Sequence, residues 1–267
     1  QLVAEGASSP ADVFITENSP ALGLVSSEDL FAPVDQATHD QVSAQFSSAK
    51  GDWVGIAARS TSLVYNPALL PAAELPRSIM DLAGPSFMDR FGIAPGGADF
   101  HAIVSAVFAV NGDAAGQQWL QGLKSNARIY QNNVAILKAV NSGQVAAGVI
   151  YHYYWFQDRA EAGENSSQTE LHFFQNQDAG GFLSISGAGV LKSSKHAADA
   201  QKLVAYLSGK DGQELLANSK FLEYPVGASV SANPGLKPFS ELSPPPVDLN
   251  TLNGPAIVEA MQRAGLL

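Results

Sequence analysis

The residues with the most distinctive chemistry lie in the stretch GVIYHYYWFQDRA, from Gly148 to Ala160. Tyr151, Tyr153, Tyr154 and Trp155 surround His152 where an apolar, strand-like run gives way to polar sequence. Aromatic residues are only 9% of the chain, so this density asks for a cause. If the strand continues, Tyr151, Tyr153 and Trp155 share one face and His152 and Tyr154 the other, which is ordinary packing. If the backbone turns there, Tyr153 and Tyr154 converge at the strand's C-terminal end, where open α/β sheets place their ligands. A phenol ionises only near pH 10. A highly charged cation is therefore needed to hold two phenolates near neutral pH, which suits Fe³⁺ better than Ca²⁺, Mg²⁺ or Zn²⁺. Two phenolates and one carboxylate would balance three positive charges. Glu17, at the end of the apolar run ADVFIT and just before a helix, is a candidate for that carboxylate, although complementing the helix dipole explains it equally well.

Other stretches carry weaker signals. In APGGADFH, Gly96 and Gly97 precede a helix whose free N–H groups could bind an anion, or simply form a strand-to-helix turn. Asn133 stands at the start of a further helix, where capping alone would account for it. GAGVLKSS, from Gly187, has neither the Walker spacing nor a third dinucleotide-type glycine, and reads as a strand packed closely on a neighbour. No nucleophile elbow or HExxH motif occurs, and His39, His101, His172 and His196 are scattered without ligand spacing.

The elements that must position these residues follow from patterning. The chain has 267 residues, is 46% hydrophobic and only 15% charged, and so can bury a sizeable core. A net charge of −10 argues against nucleic acid and against a polybasic contact with lipid. The absence of cysteine excludes disulfides, thiolate metal sites and a cysteine nucleophile. No run of apolar residues is long enough to span a bilayer. Short β-rich runs alternate with helical patterns: strands at ADVFIT, WVGIAARSTSLVYN, FGIAPG and AAGVIYHYYW, two more around a turn in LHFFQNQDAGGFLSISGAGVL, and helices between them. PRSIMDLAGPSFMDR reads as a helix and a turn, and the helical segment after Ser194 breaks at Gly209 and Gly212. This rhythm predicts an α/β protein of two lobes whose strands cross more than once.

In ADVFITENSPAL, GIAARSTSLVYN, APGGADFHAIVSA, NNVAILKAVNSGQVAAGVIYHYYW, GAGVLKSSKHAADAQKLVAYLSGKDGQE and EYPV, the chain resembles the ferric-ion-binding periplasmic proteins of bacterial ABC transporters, the bacterial-transferrin type. The matching pieces run in order through nearly the whole sequence. The resemblance implies a type II periplasmic-binding-protein (flytrap) fold that captures Fe³⁺ outside the cytoplasm, without catalysis, and delivers it to a membrane permease. Its N-terminal lobe would take residues 1–60 and 184–234, and its C-terminal lobe 61–183 and 235–267. The family's metal ligands map onto Tyr153, Tyr154 and Glu17. Its synergistic anion (phosphate, carbonate or citrate) would meet Gly96, Gly97 and Asn133, with Arg59 and Tyr151 as further contacts; a Ser-Gly is commoner where Gly96-Gly97 stands, and Asn in some relatives where Tyr151 stands.

The same resemblance implies a periplasmic or otherwise extracytoplasmic protein, monomeric when full length, with a membrane anchor through a preceding segment left open. Relatives begin with a strand, a helix and a second strand, often with a histidine ligand, before the point where this sequence starts. The N-terminal lobe is therefore expected to be incomplete, and the chain a truncated form. Two alternatives use the same residues differently. One is a binding protein for an organic cation or oxyanion with the tyrosines as a cage or as donors, and the other a hydrolase using His152 and a carboxylate.

Overall fold

The computed structural model describes residues 1–267, which divide into two compact units. The first comprises residues 1–59, 184–236 and 248–253; the second comprises 60–183, 237–247 and 254–267. The short return of 248–253 to the first unit differs from the sequence reading, which kept the whole tail with the second lobe. Leu249 and Leu252 are buried, and their carbonyls lie against Gly23.

In the first unit the helices are α1 (Leu2–Glu5), α2 (Ser19–Ser27), α3 (Gln36–His39), α8 (Ala197–Ser208) and α9 (Lys210–Ala217). Its sheet runs β1 (Val13–Thr16), β7 (Leu183–Val190), the first half of β2 (Val54–Tyr65), then β8 (Tyr224–Pro225). Strand β1 is antiparallel to β7, with Thr16 opposite Gly187. Within residues 1–267 β1 pairs with β7, and Ile15 is 52% exposed. Gly187 and Gly189 lie two apart on one face of β7. A Cβ on the first would reach within 2.7 Å of Leu22, and on the second within 2.6 Å of the Phe31 ring. GAGVL is thus a strand thinned so that side chains can pack onto it.

The second unit carries the helices α4 (Ala98–Asn111), α5 (Asp113–Asn126), α6 (Asn133–Asn141), α7 (His152–Glu161) and α10 (Gly254–Arg263). Its strands run in the order β6 (Glu170–His172), second half of β2, β5 (Ala147–Tyr151), β3 (Phe91–Ile93), β4 (Ala127–Ile129). β3 is parallel to both β5 and β4, whereas β2 is antiparallel to β5 and β6. PRSIMDLAGPSFMDR forms two 3-10 turns, Ile79–Ala83 and Pro85–Phe87, instead of a helix. Pro85 holds the preceding Gly84 in extended backbone and interrupts the run.

Strand β5 carries the aromatic cluster and is packed on both faces. Val149 and Tyr151 face the cluster of Phe91, Phe100, Ile103 and Trp119, while Ile150 faces Ile136 and Val140 of α6. The alternation is the period of a strand buried on both sides. Helix α6 comes so close that a Cβ on Gly148 would stand 2.1 Å from Ile136. Gly148→Ala is therefore expected to destabilise the protein by about 1–3 kcal/mol through overpacking, read as a lower urea midpoint at unchanged slope.

The second half of β2 is tied to β6 by the Tyr65 hydroxyl, which donates to Glu170 at 2.6 Å. Burial, reinforced by the Glu170 carboxylate, pushes the Tyr65 phenol up to about 12. An unfolded tyrosine ionises first, near pH 10. The folded state's preference for the protonated phenol is therefore fully present below about pH 10 and is lost as pH rises toward 12. Urea unfolding across that window is expected to show falling stability, with a shallower fall in Tyr65→Phe.

Candidate metal centre

The strand predicted over AAGVIYHYYW stops at Tyr151, and His152 is already the first residue of α7. Tyr151 keeps extended backbone (φ −84°, ψ 145°), so the change to helix falls between neighbours. Tyr153 and Tyr154 consequently do not point to opposite faces. Their rings stack with centroids 4.2 Å apart and planes inclined by 29°. Tyr153 is 8% exposed and Tyr154 is partly buried.

The oxygen of Tyr154 is the centre of a polar cluster. Its hydroxyl donates to Asp99 Oδ2 at 3.0 Å, while Tyr153 and Asn133 direct hydrogen bonds at the same phenolic oxygen. Burial, followed by the negative charge of Asp99, pushes the Tyr154 phenol above its ordinary value. Before any cation arrives, Tyr154 is therefore a neutral phenol. A bound cation must both displace the proton and outweigh the carboxylate.

Asn133 is not the cap that its position suggested. Asn132 is the N-cap of α6, and its side-chain oxygen accepts from the backbone N–H of Ala135 at 2.9 Å. Asn133, one residue later, is buried and donates its side-chain N–H to Asp99 Oδ2 at 2.8 Å. Gly97 is the N-cap of α4, with no side-chain cap, and Gly96 precedes it. A Cβ on Gly96 would meet nothing within 4 Å, so packing does not require a glycine there. The loop is held from within its own helix: His101 Nε2 lies 2.8 Å from the Pro95 carbonyl oxygen. Tyr151 is fully buried, and its hydroxyl donates to the Asp99 carbonyl at 3.4 Å.

His152 is fully buried, and its Nδ1 accepts the Ser60 backbone N–H at 3.1 Å. Its ring lies edge-on to Tyr153 at 6.2 Å and to Phe156 at 5.9 Å. The histidine braces the tyrosine turn and is not exposed as a base.

Glu17 and Arg59 belong to the first unit. Glu17 ends β1's polar exit, just before α2, and its side chain is 72% exposed. Arg59 is almost wholly buried; its Nη1 donates to the Glu17 carbonyl at 3.2 Å and meets the Glu17 carboxylate at 3.4 Å. Its Nε stands 3.3 Å from the Glu223 carboxylate, which is itself mostly buried. Arg59 thus spends its guanidinium on two carboxylates and on the carbonyl at the base of Glu17, and the Glu17 carboxylate is presented outward. The second unit brings together Tyr153, Tyr154 and Asn133, with the Gly96–Gly97 turn opening the helix that carries Asp99.

Three residues with roles here escaped the sequence reading. Asp99 reads in sequence as an ordinary acidic residue in a helix's first turn, which is favourable to the dipole in any helix. Glu223 appears only within EYPV, and nothing local indicates that it pairs with an arginine 164 positions earlier. His101 was one of the scattered histidines. No group of three or more His, Cys, Asp or Glu residues is placed to hold a metal. No helix is long and apolar enough to cross a membrane.

Residues 8–248 match the family of bacterial extracellular solute-binding proteins. Over 267 residues the chain is 52% identical to the Fe(3+)-binding periplasmic protein of Serratia marcescens, covering all of this chain and 79% of that protein. It is 36% identical over 255 residues to the major ferric iron-binding protein of Neisseria meningitidis, covering 95% of this chain and 77% of that one. Among solved structures, iron-bound HitA from Pseudomonas aeruginosa superposes with a TM-score of 0.92 at 40% identity, covering 99% of this chain and 86% of that one. The chain belongs to the bacterial extracellular solute-binding proteins, a family of binding proteins and not of enzymes, and it has their type II periplasmic-binding-protein fold.

The Arg59 arrangement generates a prediction about stability. Glu223→Ala removes one charged partner of a buried guanidinium and is expected to lower stability by about 1.5–3 kcal/mol. Glu223→Gln, which keeps an acceptor, should lose less. Thermal unfolding of the two variants side by side would check the order.

Proposed function

We propose that the protein captures Fe³⁺ outside the cytoplasm, with the phenolates of Tyr153 and Tyr154 and the carboxylate of Glu17 as ligands, and delivers it to the permease of an ABC transporter. The observation that carries this reading is the convergence of two adjacent phenols at the C-terminal end of β5, with the Tyr154 oxygen at the centre of a hydrogen-bonded cluster. Phenolate is a hard, strongly donating oxygen ligand that suits a trivalent cation, and two phenolates with one carboxylate neutralise its charge. The relatives named for ferric iron support the same cargo.

The alternatives fit the geometry less well. A cage for an organic cation needs ring faces separated by the guest, whereas these two rings stack on each other. A hydrolase using His152 needs an accessible base, whereas that imidazole is buried and accepts a backbone N–H.

Because Tyr154 is held protonated before iron binds, each iron must displace protons, and acid will compete for the same oxygens. Titration of the iron-free protein with chelated Fe³⁺ is expected to produce a visible tyrosinate-to-iron charge-transfer band. The band should fade as pH is lowered and return on neutralisation. Tyr153→Phe and Tyr154→Phe should each weaken it severely, and the double variant should abolish it. An unchanged band in both single variants would overturn the assignment.

A further inference from the structure

The register of β2 against β5 shows what His152 does at the tyrosine turn. Thr61 stands opposite Tyr151, and Ser62 opposite Ile150. Successive residues of a paired strand direct their main-chain groups to opposite edges. The Thr61 N–H goes to the Phe182 carbonyl at 3.0 Å on one edge of β2, so those of Ser60 and Ser62 face β5. One more residue of strand would set residue 152 opposite Ser60, with its main-chain carbonyl accepting the Ser60 N–H. That residue is instead the first of α7, and a helical carbonyl points along the helix axis. Ser60 is buried, so water does not serve its N–H. The His152 ring does: Nδ1 accepts that N–H at 3.1 Å.

We propose that His152 is a positioning residue for iron capture: its ring nitrogen replaces the strand carbonyl that β5 gives up at Tyr151, and so holds Tyr153 and Tyr154 in their convergent arrangement before the metal arrives. The proposal rests on the ferric reading of the two tyrosines. Its physical basis is a competition between two backbones. If β5 continued through 152 and 153, main chain would satisfy the Ser60 N–H, and Tyr153 and Tyr154 would leave the strand on opposite faces. If the chain turned helical at 152 with no acceptor in that side chain, a buried N–H would be left unpaired. That loss shifts an equilibrium by roughly five- to a hundredfold. A side chain with an acceptor at the δ position removes the loss and leaves the turn as the favoured state. The ring is seated for this task, packed edge-on against Tyr153 beside it and Phe156 one helical turn on. Tyrosines that converge for only a fraction of the time bind iron more weakly by that fraction.

The test uses the full chain, with His152→Phe and His152→Asn beside the unaltered protein at one neutral pH. His152→Phe keeps the ring and loses the acceptor; His152→Asn loses the ring and keeps an acceptor bonded to Cγ. Amide hydrogen exchange of the iron-free proteins, followed by NMR, reads the protection of the Ser60 N–H. Competition with acetohydroxamate for Fe³⁺, followed by the tyrosinate band, reads the iron dissociation constant. His152→Phe is expected to lose protection at Ser60 and to bind iron roughly five- to a hundredfold more weakly. His152→Asn should keep Ser60 protected and bind iron within about threefold of the unaltered protein. A residue that only stabilised the fold would lower the melting temperature of both variants and leave both dissociation constants unchanged. The proposal is overturned if folded His152→Phe binds iron as tightly as the unaltered protein, or if His152→Asn binds no better than His152→Phe. If His152→Phe does not fold, His152→Asn decides alone: binding within that range with Ser60 protected supports the proposal, and loss of either overturns it. Absence of the band from the unaltered protein at every iron concentration would instead overturn the ferric reading beneath it, while exchange at Ser60 still reads the histidine's hold on the turn.

Discussion

The change from extended to helical backbone between Tyr151 and His152 is the constraint on which the candidate site depends. A strand sends successive side chains to opposite faces, whereas a helix turns each residue by about 100° from the last. Two adjacent tyrosines can present their oxygens to one point only in the second case. The turn is fixed from several sides. Tyr151 is locked into the core below α4, His152 accepts a backbone N–H from Ser60, and Tyr153 packs its ring against both His152 and Tyr154. Strand β5 can end so abruptly because it is held on both faces up to its last residue, with α6 seated directly over Gly148.

Electrostatics gives the two units complementary characters. In the second unit, a phenol is kept neutral by burial and by the carboxylate beside it. In the first unit, the one buried guanidinium near Glu17 is shared between Glu17 and Glu223. Glu17 is thereby steadied while remaining largely exposed, and Arg59's charge is offset by two carboxylates. In the other unit, the Asn133 amide is bound to the carboxylate of Asp99.

Glycines shape both units through close approach. Gly187 and Gly189 admit Leu22 and Phe31 onto β7, and Gly92 and Gly148 admit Tyr130 and Ile136 onto β3 and β5. In each pair the glycines lie where a side chain crosses a strand at a distance that no Cβ would allow. This explains why a Gly-Ala-Gly stretch followed by lysine, which superficially suggests phosphate binding, serves as a packing surface.

Much of this was legible in the sequence because it is encoded locally. Alternating apolar runs marked the strands, helical spacing marked α4, α5 and α6, and the phase break at Gly209 marked the division between α8 and α9. The tyrosine pair stood out by composition, and the ordered set of motifs pointed to the solute-binding fold. What stayed hidden depends on contacts between residues far apart in the chain. The end of β5 at Tyr151 could not be read from YHYYW, since those residues suit strand and helix alike and packing decided between them. The pairing of β1 with β7 joins residues some 174 positions apart. The partners Asp99–Asn133–Tyr154 and Arg59–Glu223 join separate elements, so that a residue typical of a helix start and another buried in EYPV become site residues only when the chain has folded. Sequence determined which elements form and which side chains have chemistry to offer. Tertiary structure alone decided which of those side chains meet, because hydrogen bonds and charge pairing act over a few ångströms of space, whatever the separation along the chain.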